Sequence, residues 1–495
     1  MIDIATEPDI RVLRQVALLQ DREIQRLHAR LAQLLTAAGA DVVAIQGELE
    51  ALTIQLAQRE HALFGPSSEK RPPEESATES PATTPRPRRG HGPTQQPRLP
   101  VVEQLFTLPA GHPDCPTCGG TLTPMAGQFE EADEITVIER TFVVTRQRRQ
   151  KYRCRCNGHV ATAPGPVKLQ EGARYSPAVA VEVASAKYLD HLPLERQVRI
   201  MAREGLDVTS QTLWDQIEIL ARTLQPTYEA IHNVVLTAPV IGMDETSWRM
   251  MGRRAGTTRW YGWCLTSPDA AYFDIVKHRS AEAARAILCG YRGIVMADGY
   301  DVYDTLARGQ PGCTIAHCWA HVRRKFLEIE HYFPVCTAVL DLLRDLYAVE
   351  RAAHDQAAGD ADALLGLRRQ VRDTQSASIV AAIQQWVLAQ RVLPESGLAK
   401  AIEYMTGLWR GLTLFLKDPR IPIDNNATER ALRGPVVGRK NFYGARSQRG
   451  TDVAALFYTL FETAKLRHVE PKAYLRQAVD AALATPGTIT LPTVA

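Results

Sequence analysis

Apolar positions in the first sixty residues keep a helical beat. Ile24, Leu27, Leu31 and Leu34 step by three and four, and after a stutter Ile45, Leu49, Leu52 and Leu56 carry a second stripe on to Leu63. So narrow a seam predicts a coiled coil over 1–64 that joins one copy of the chain to another, although Gly39, Asp41 and Gly47 interrupt it. The same stripe also suits an amphipathic helix folded back on its own core. The pattern lapses over 65–98, where Pro, Ser, Glu and Arg leave too little apolar surface to bury, so this stretch is expected as a disordered linker. Its charge turns from acidic at Glu74, Glu75 and Glu79 to basic at Arg86, Arg88 and Arg89.

Helical spacing returns over 169–236. "LPLERQVRIMAREGLDVTSQTLWDQIEIL" predicts a helix, a turn at Gly205 and a second helix capped near Thr209 or Ser210. That order fits a helix-turn-helix. No Lys or Arg lies between 209 and 219, so a plain helical hairpin stays equally open. From Pro239 the period shortens. "PVIGMDETSWRM", "RWYGWCLTS" and "AAYFDIVKH" predict three antiparallel strands with turns between them. "SAEAARAILCG" predicts a helix, "GIVMADGYDVYDTL" a buried strand ending in an aspartate, "CTIAHC" a fifth strand and "WAHVRRKFLEIE" a helix after it. The expected architecture is a multidomain α/β chain whose mixed sheet is flanked by helices. Its core comprises 237–334 and 419–468, is split by a helical insertion over 335–418, and is followed by a C-terminal tail over 469–495.

Composition narrows the partners. A chain of 495 residues is too long for one core and suggests about three or four domains. The net charge is only +3, so attraction to nucleic acid must come from local clusters. No apolar run approaches the roughly 18 residues of a membrane span, and the polar, acidic N-terminus does not read as a signal peptide. A cytoplasmic protein is expected. Nine cysteines include a CxxC pair, Cys115 and Cys118, and a CxC pair, Cys154 and Cys156, in "YRCRC". Four thiolates make a tetrahedral zinc shell, which can hold together a module with too small a core of its own. A structural zinc module is expected over 99–168, with His159 able to replace one cysteine.

Three acids stand out by position. Asp244 lies on the first strand, Asp298 ends the fourth, and Glu429 opens a late helix. In a ribonuclease-H-like sheet the first and fourth strands are neighbours, so the two aspartates would repel unless a cation lay between them. Hard oxygen donors suit Mg²⁺ or Mn²⁺. A third carboxylate would complete a two-metal clamp, with ions about 4 Å apart, for in-line displacement at phosphorus. Glu245 alternates away from Asp244 on the strand. Asp301 and Asp304 are expected to cap or decorate the next helix. Cys313, His317, Cys318 and His321 have spacing that fits no common zinc finger, and Trp319 is expected in the core. Behind Glu429 come Arg430, Arg433, Arg439, Lys440, Arg446 and Arg449 with no further acid before Gly450. That run suits a phosphodiester backbone, with His321, Arg323 and Arg324 as further DNA-facing residues. The alternative for Glu429 is an ordinary helical ion pair with Arg433.

The strings "LFGPSSEK", "CPTCGG", "LPLERQ", "GMDETSW", "ADGYDVY", "HCWAHVRRKF" and "DNNATERALRGPVVGRKNF" together resemble the large transposase of the insertion sequence 66 family. The resemblance extends over nearly the whole length, with Gly434 a departure where such sequences often join Arg directly to Pro. It implies a DDE transposase with Asp244, Asp298 and Glu429 as its triad and a helical insertion before the glutamate. It also implies double-stranded DNA, as element terminal repeats and target, for a substrate. The zipper, zinc and helical regions would serve end binding and assembly into a homo-oligomer, alongside small accessory proteins. Two other readings use the same residues. One is a ribonuclease-H-like nuclease that hydrolyses without joining ends, and the other is a non-catalytic zinc and helix-turn-helix regulator.

Overall fold

The computed structural model describes residues 140–153, 159–251 and 257–493. The expected coiled coil over 1–64, the linker over 65–98 and the four cysteines at 115, 118, 154 and 156 lie outside the described residues. Of the zinc module the structure describes a two-stranded antiparallel ribbon, Lys151–Arg153 with Val160–Thr162, in which Tyr152 faces Ala161.

Five strands form the main sheet: β1 (Val240–Met251), β2 (Thr257–Thr266), β3 (Ala271–Val276), β4 (Gly293–Ala297) and β5 (Cys313–His317). Their order is β3-β2-β1-β4-β5. The first three strands are antiparallel neighbours, while β1, β4 and β5 run parallel. The first and fourth strands are therefore adjacent, as expected. Parallel neighbours need a crossover, and the chain supplies helices for it. These are α4 (Ala281–Leu288) before β4 and α5 (Asp301–Gly309) before β5, if α1 (Pro177–Tyr188), α2 (Leu194–Arg203) and α3 (Ser210–Thr237) are numbered ahead of them. Asp301 and Asp304 occupy the first turn of α5, where carboxylates favour the positive end of the helix dipole.

The turn at Gly205 adopts φ +83°, and Thr209 caps α3 by accepting from Thr212 N at 3.2 Å. Leu213, Ile217, Leu220, Leu224, Ile231 and Val235 are buried along the full length of α3. The second helix of the expected pair is thus a wall of the core.

After β5 come α6 (Trp319–Leu327) and the helical insertion: α7 (Cys336–Ala357), α8 (Ala361–Val371), a π-turn at Arg372–Ser376, α9 (Ala377–Ala389), α10 (Gly397–Gly407) and short α11 (Trp409–Leu412). The chain returns through α12 (Asn426–Phe442) and α13 (Gln448–Leu466). Val453 to Ala464 are buried without a break, and a helix apolar on every side belongs inside. It closes the sheet edge. Thr459 Oγ1 accepts from Phe273 N at 2.9 Å and Thr463 Oγ1 from Ala271 N at 3.1 Å, which answers backbone donors that an edge strand would otherwise expose.

Residues 469–495, expected as a tail, correct that reading. They contain α14 (Pro471–Ala484), with Tyr474, Leu475, Ala478, Val479 and Ala482 buried. Beyond it Thr490 N donates to Thr227 Oγ1 of α3 at 3.2 Å. Trp319, expected in the core, is fully buried and donates Nε1 to Leu412 O at 2.9 Å. No helix among the described residues is long and apolar enough to cross a membrane.

The insertion is bound to the returning chain by a buried charge network. Arg372, 1% exposed, donates Nε to Glu350 Oε1 at 2.7 Å and Nη1 to the carbonyl oxygens of Phe415 and Asp418 at 2.8 and 3.1 Å. Arg368 reaches the other oxygen of Glu350 at 2.9 Å. Removing the carboxylate would leave two guanidinium groups uncompensated. Glu350→Ala is expected to cost about 3–5 kcal/mol, read as a lowered midpoint in thermal or urea unfolding.

Candidate active site

The parallel register of β1 on β4 pairs Gly242 with Met296. Carried on by two residues, it sets Asp244 beside Asp298, which follows the last residue of β4. Asp298 Oδ1 accepts from Tyr300 N at 3.0 Å and so closes the turn into α5. Its carbonyl oxygen lies 3.0 Å from His317 Nδ1 at the end of β5.

Glu245 takes the opposite face. It is ion-paired with Arg279, accepts from Tyr303 Oη at 2.5 Å, and its side chain is 2% exposed. Arg279 in turn lies 3.8 Å over the Tyr300 ring. The alternation expected from the sequence holds, and it leaves one carboxylate neutralised and its neighbour not.

Glu429 arrives on the first turn of α12. Asn425 stands at the N-cap position, yet its side chain makes no cap bond. Its Nδ2 donates instead to Met243 O at 2.9 Å, its Oδ1 accepts from Thr428 Oγ1 at 2.6 Å, and its N–H donates to Cys318 Sγ at 3.2 Å. Asp424 caps, accepting from Asn426 N at 3.1 Å. Thr428 and Thr266 share a hydroxyl bond of 2.6 Å across to β2. This close approach is possible because position 242 is glycine. A Cβ there would fall 2.1 Å from Thr428 Oγ1 and 2.7 Å from both Asn425 Oδ1 and Thr266 Oγ1.

Glu429 Oε1 is buried with no hydrogen-bond partner among the described residues. His321 Nε2 of α6 lies 3.5 Å away, too long for a hydrogen bond. The helical pair with Arg433 does not form. Burial, then the charge of Glu245, then those of Asp298 and Glu429 push the Asp244 carboxyl up to about 8, against a hydrogen bond from Glu245 N that lowers it. Asp244 therefore feels both other acids of the expected triad.

The donors fit a hard divalent cation, because neighbouring carboxylates and one partnerless carboxylate oxygen are what such an ion relieves. Among the described residues no three His, Cys, Asp or Glu side chains stand together as a group able to hold a metal ion. Asp298 and Glu429 act on Asp244 through their charge. Cys313, His317, Cys318 and His321 form no such group either, since Cys318 Sγ is engaged by Asn425.

The cations divide into two sets. Arg439 donates Nη1 to Thr246 Oγ1 at 2.9 Å and to Ser247 Oγ at 3.1 Å. It thereby sits two residues along β1 from Asp244. Arg430, Arg433, Lys440 and Arg446 are exposed. Arg449 is an internal strut, with Nε 3.1 Å from Glu218 Oε1 on α3, and Arg323 and Arg324 are half-buried on α6. Sequence reasoning missed Gly242, Thr266, Thr428 and the anchoring role of Asn425. A glycine two residues before an acid on a strand was the available sign.

The model for the transposase IS66 family matches residues 172–453, and that for the zinc-finger binding domain of transposase IS66 matches 113–157. The first span contains Asp244, Asp298 and Glu429, and the second contains all four cysteines. Three uncharacterized proteins of Sinorhizobium fredii are similar. The protein y4hP is 29% identical over 73% of this chain and 69% of its own length. The corresponding figures are 29%, 74% and 74% for y4jD, and 30%, 82% and 76% for y4qI. No solved structure matches the chain.

Two outcomes follow from the geometry. Gly242→Ala should unseat the first turn of α12, costing about 1–3 kcal/mol by overpacking and lowering activity far more than the unfolding midpoint. In metal-free protein Asp244 keeps a proton that the unfolded chain releases near pH 4, so stability should fall as pH rises from about 4 to about 8. Asp244→Asn should flatten that slope and raise the melting temperature at pH 8, as measured by calorimetry across the range.

Proposed function

Because this chain belongs to the IS66 transposase family, we propose that it is a DDE transposase that cuts DNA at element ends and joins those ends to target DNA. Asp244, Asp298 and Glu429 are its catalytic carboxylates on a ribonuclease-H-like core. What supports this is the fold around them: the β1–β4 register, carried on by two residues, aligns the aspartates, and Asn425 with Gly242 seats the glutamate's helix on the same strand. A strand order of β3-β2-β1-β4-β5 supports the assignment of the core.

Asp244, Asp298 and Glu429 would hold Mg²⁺ or Mn²⁺, which supplies Lewis-acid stabilisation of charge at phosphorus. Everything else is the work of the chain. Arg439, bonded to β1, with Arg430, Arg433, Lys440 and Arg446 nearby in the chain, holds the phosphodiester backbone and carries the salt dependence of binding. His321 stands beside Glu429. Hydrolysis breaks one phosphodiester bond and leaves a 3′-hydroxyl on the element end. That hydroxyl then attacks a target phosphodiester, so one P–O bond forms as another breaks and no covalent protein intermediate is needed. Cys115, Cys118, Cys154 and Cys156 hold a structural Zn²⁺ in the zinc-finger domain, and 1–64 joins copies of the chain into an oligomer.

Strand transfer on labelled element ends with Mg²⁺ tests the reading. Asp244→Ala and Glu429→Gln should keep end binding and lose at least about 100-fold in joined product, the scale of removing an electrostatic stabiliser from an active site. Hydrolysis without joining would instead make the protein a nuclease. Unchanged turnover in Glu429→Gln would remove the triad.

A further inference from the structure

Beyond the acids, the same face of β1 leads to a second site. A cavity of about 530 Å³ opens among the ends of α1 and α12, the starts of α2, α3 and α13, and the far half of β1. It lies within the range of roughly 300–1,000 Å³ typical of small-ligand sites. Aromatic side chains dominate it: Trp214, Trp248, Phe442 and Tyr443, with Lys187 and Arg446 as its cations and Glu195 its lone acid.

Three features give the cavity a direction. Asp244, Thr246 and Trp248 alternate onto one face of β1, so the cavity begins about 13 Å along the strand from Asp244 at roughly 3.3 Å per residue. Arg439 lies between the two, bonded to Thr246. Tyr443, next, is 61% exposed and held at φ +62°. It is the left-handed C-cap of α12, its N–H donating to Arg439 O at 2.8 Å, a helix ending that leaves its ring exposed beside the cavity. Finally, Trp248 Nε1 and Tyr188 Oη in the cavity wall are buried without hydrogen-bond partners among the described residues, each side chain 1% exposed.

Resting on the transposase reading above, we propose that this cavity receives one unpaired base of the element end, roughly two to four nucleotides from the phosphate held at Asp244. Tyr443 and Trp214 supply aromatic faces for stacking, which takes any base, while Arg446 and Lys187 meet the flanking phosphates. A duplex would not fit the cavity, and a single nucleoside does. The row of cations along α12 connects the two sites. An apolar side chain from a second copy of the chain is the competing occupant, and it has no need of that cationic track.

The experiment uses the full-length Glu429→Gln protein, which should bind without turnover, and the element's own terminal repeat carrying 2-aminopurine at each position near the cleavage point in turn. One position should change fluorescence at least about threefold on binding, and that change should vanish when Tyr443→Leu or Trp214→Leu is added. In the otherwise wild-type protein the same two substitutions should lower strand transfer by about tenfold or more. An abasic nucleotide at the responding position should make wild type and variants equal. Matching melting temperatures keep a folding defect out of the comparison. The proposal is overturned if no position responds, if the response survives both substitutions, or if the substitutions instead abolish self-association in sedimentation. Because the fluorescence needs no turnover, loss of the pocket and loss of the transposase reading would look different.

Discussion

Where the first turn of α12 meets β1, a glycine backbone, a buried amide and two threonine hydroxyls occupy space that one methyl group would fill. The third acid of the site comes from a helix more than 180 residues away in the chain from Met243, the residue to which its turn is bonded. The side chains of Asn425, Thr428 and Thr266 can close that gap with hydrogen bonds because Gly242 adds no Cβ of its own. Cys318 at the start of α6 joins the same knot through Asn425 N, and Trp319 N donates to Ile423 O at 3.0 Å. His321, one turn on, therefore stands beside Glu429 for the same reason that Glu429 stands near the aspartates.

Neighbouring acids on β1 have opposite fates. Glu245 is answered by Arg279 and Tyr303 on its own face, which counters the cost of burying a charge. Asp244 is answered mainly by a backbone N–H and faces two further carboxylates. A fold selected for stability alone has no reason to leave that imbalance, and imbalance of this kind is characteristic of functional sites. The imbalance lies on the face toward α12, where the exposed arginines begin.

The insertion contributes from a distance. Arg372, held by Glu350, donates to the carbonyls of Phe415 and Asp418, a few residues before the turn that carries Asn425. Fixing that segment from the insertion side and from β1 leaves the α12 start little freedom. The sheet's outer edge is held comparably, with threonines of α13 answering the free amides of β3. The rigid parts thus surround the acids, and the exposed Tyr443 caps the other end of the same helix.

Much was legible from local pattern alone. Short β-rich or apolar runs between turn residues marked the strands, helix-forming composition marked the insertion, and alternation along "GMDETSW" assigned Asp244 and Glu245 to opposite faces, because side-chain direction on a strand depends only on parity. The CxxC and CxC pairs lie in the stretch matched as a zinc-finger domain for the same kind of reason, since ligand spacing is local. Other features depended on contacts the chain order does not encode. Nothing in the run behind Glu429 shows that Arg449 is taken by Glu218 while Arg439 lies along β1. The role of Gly242 follows from what packs above it, and α14 is a core helix because α3 is there to receive it. Parity and spacing are properties of neighbours in sequence, whereas the partner of a charge or the space over a glycine is set only once distant elements have docked.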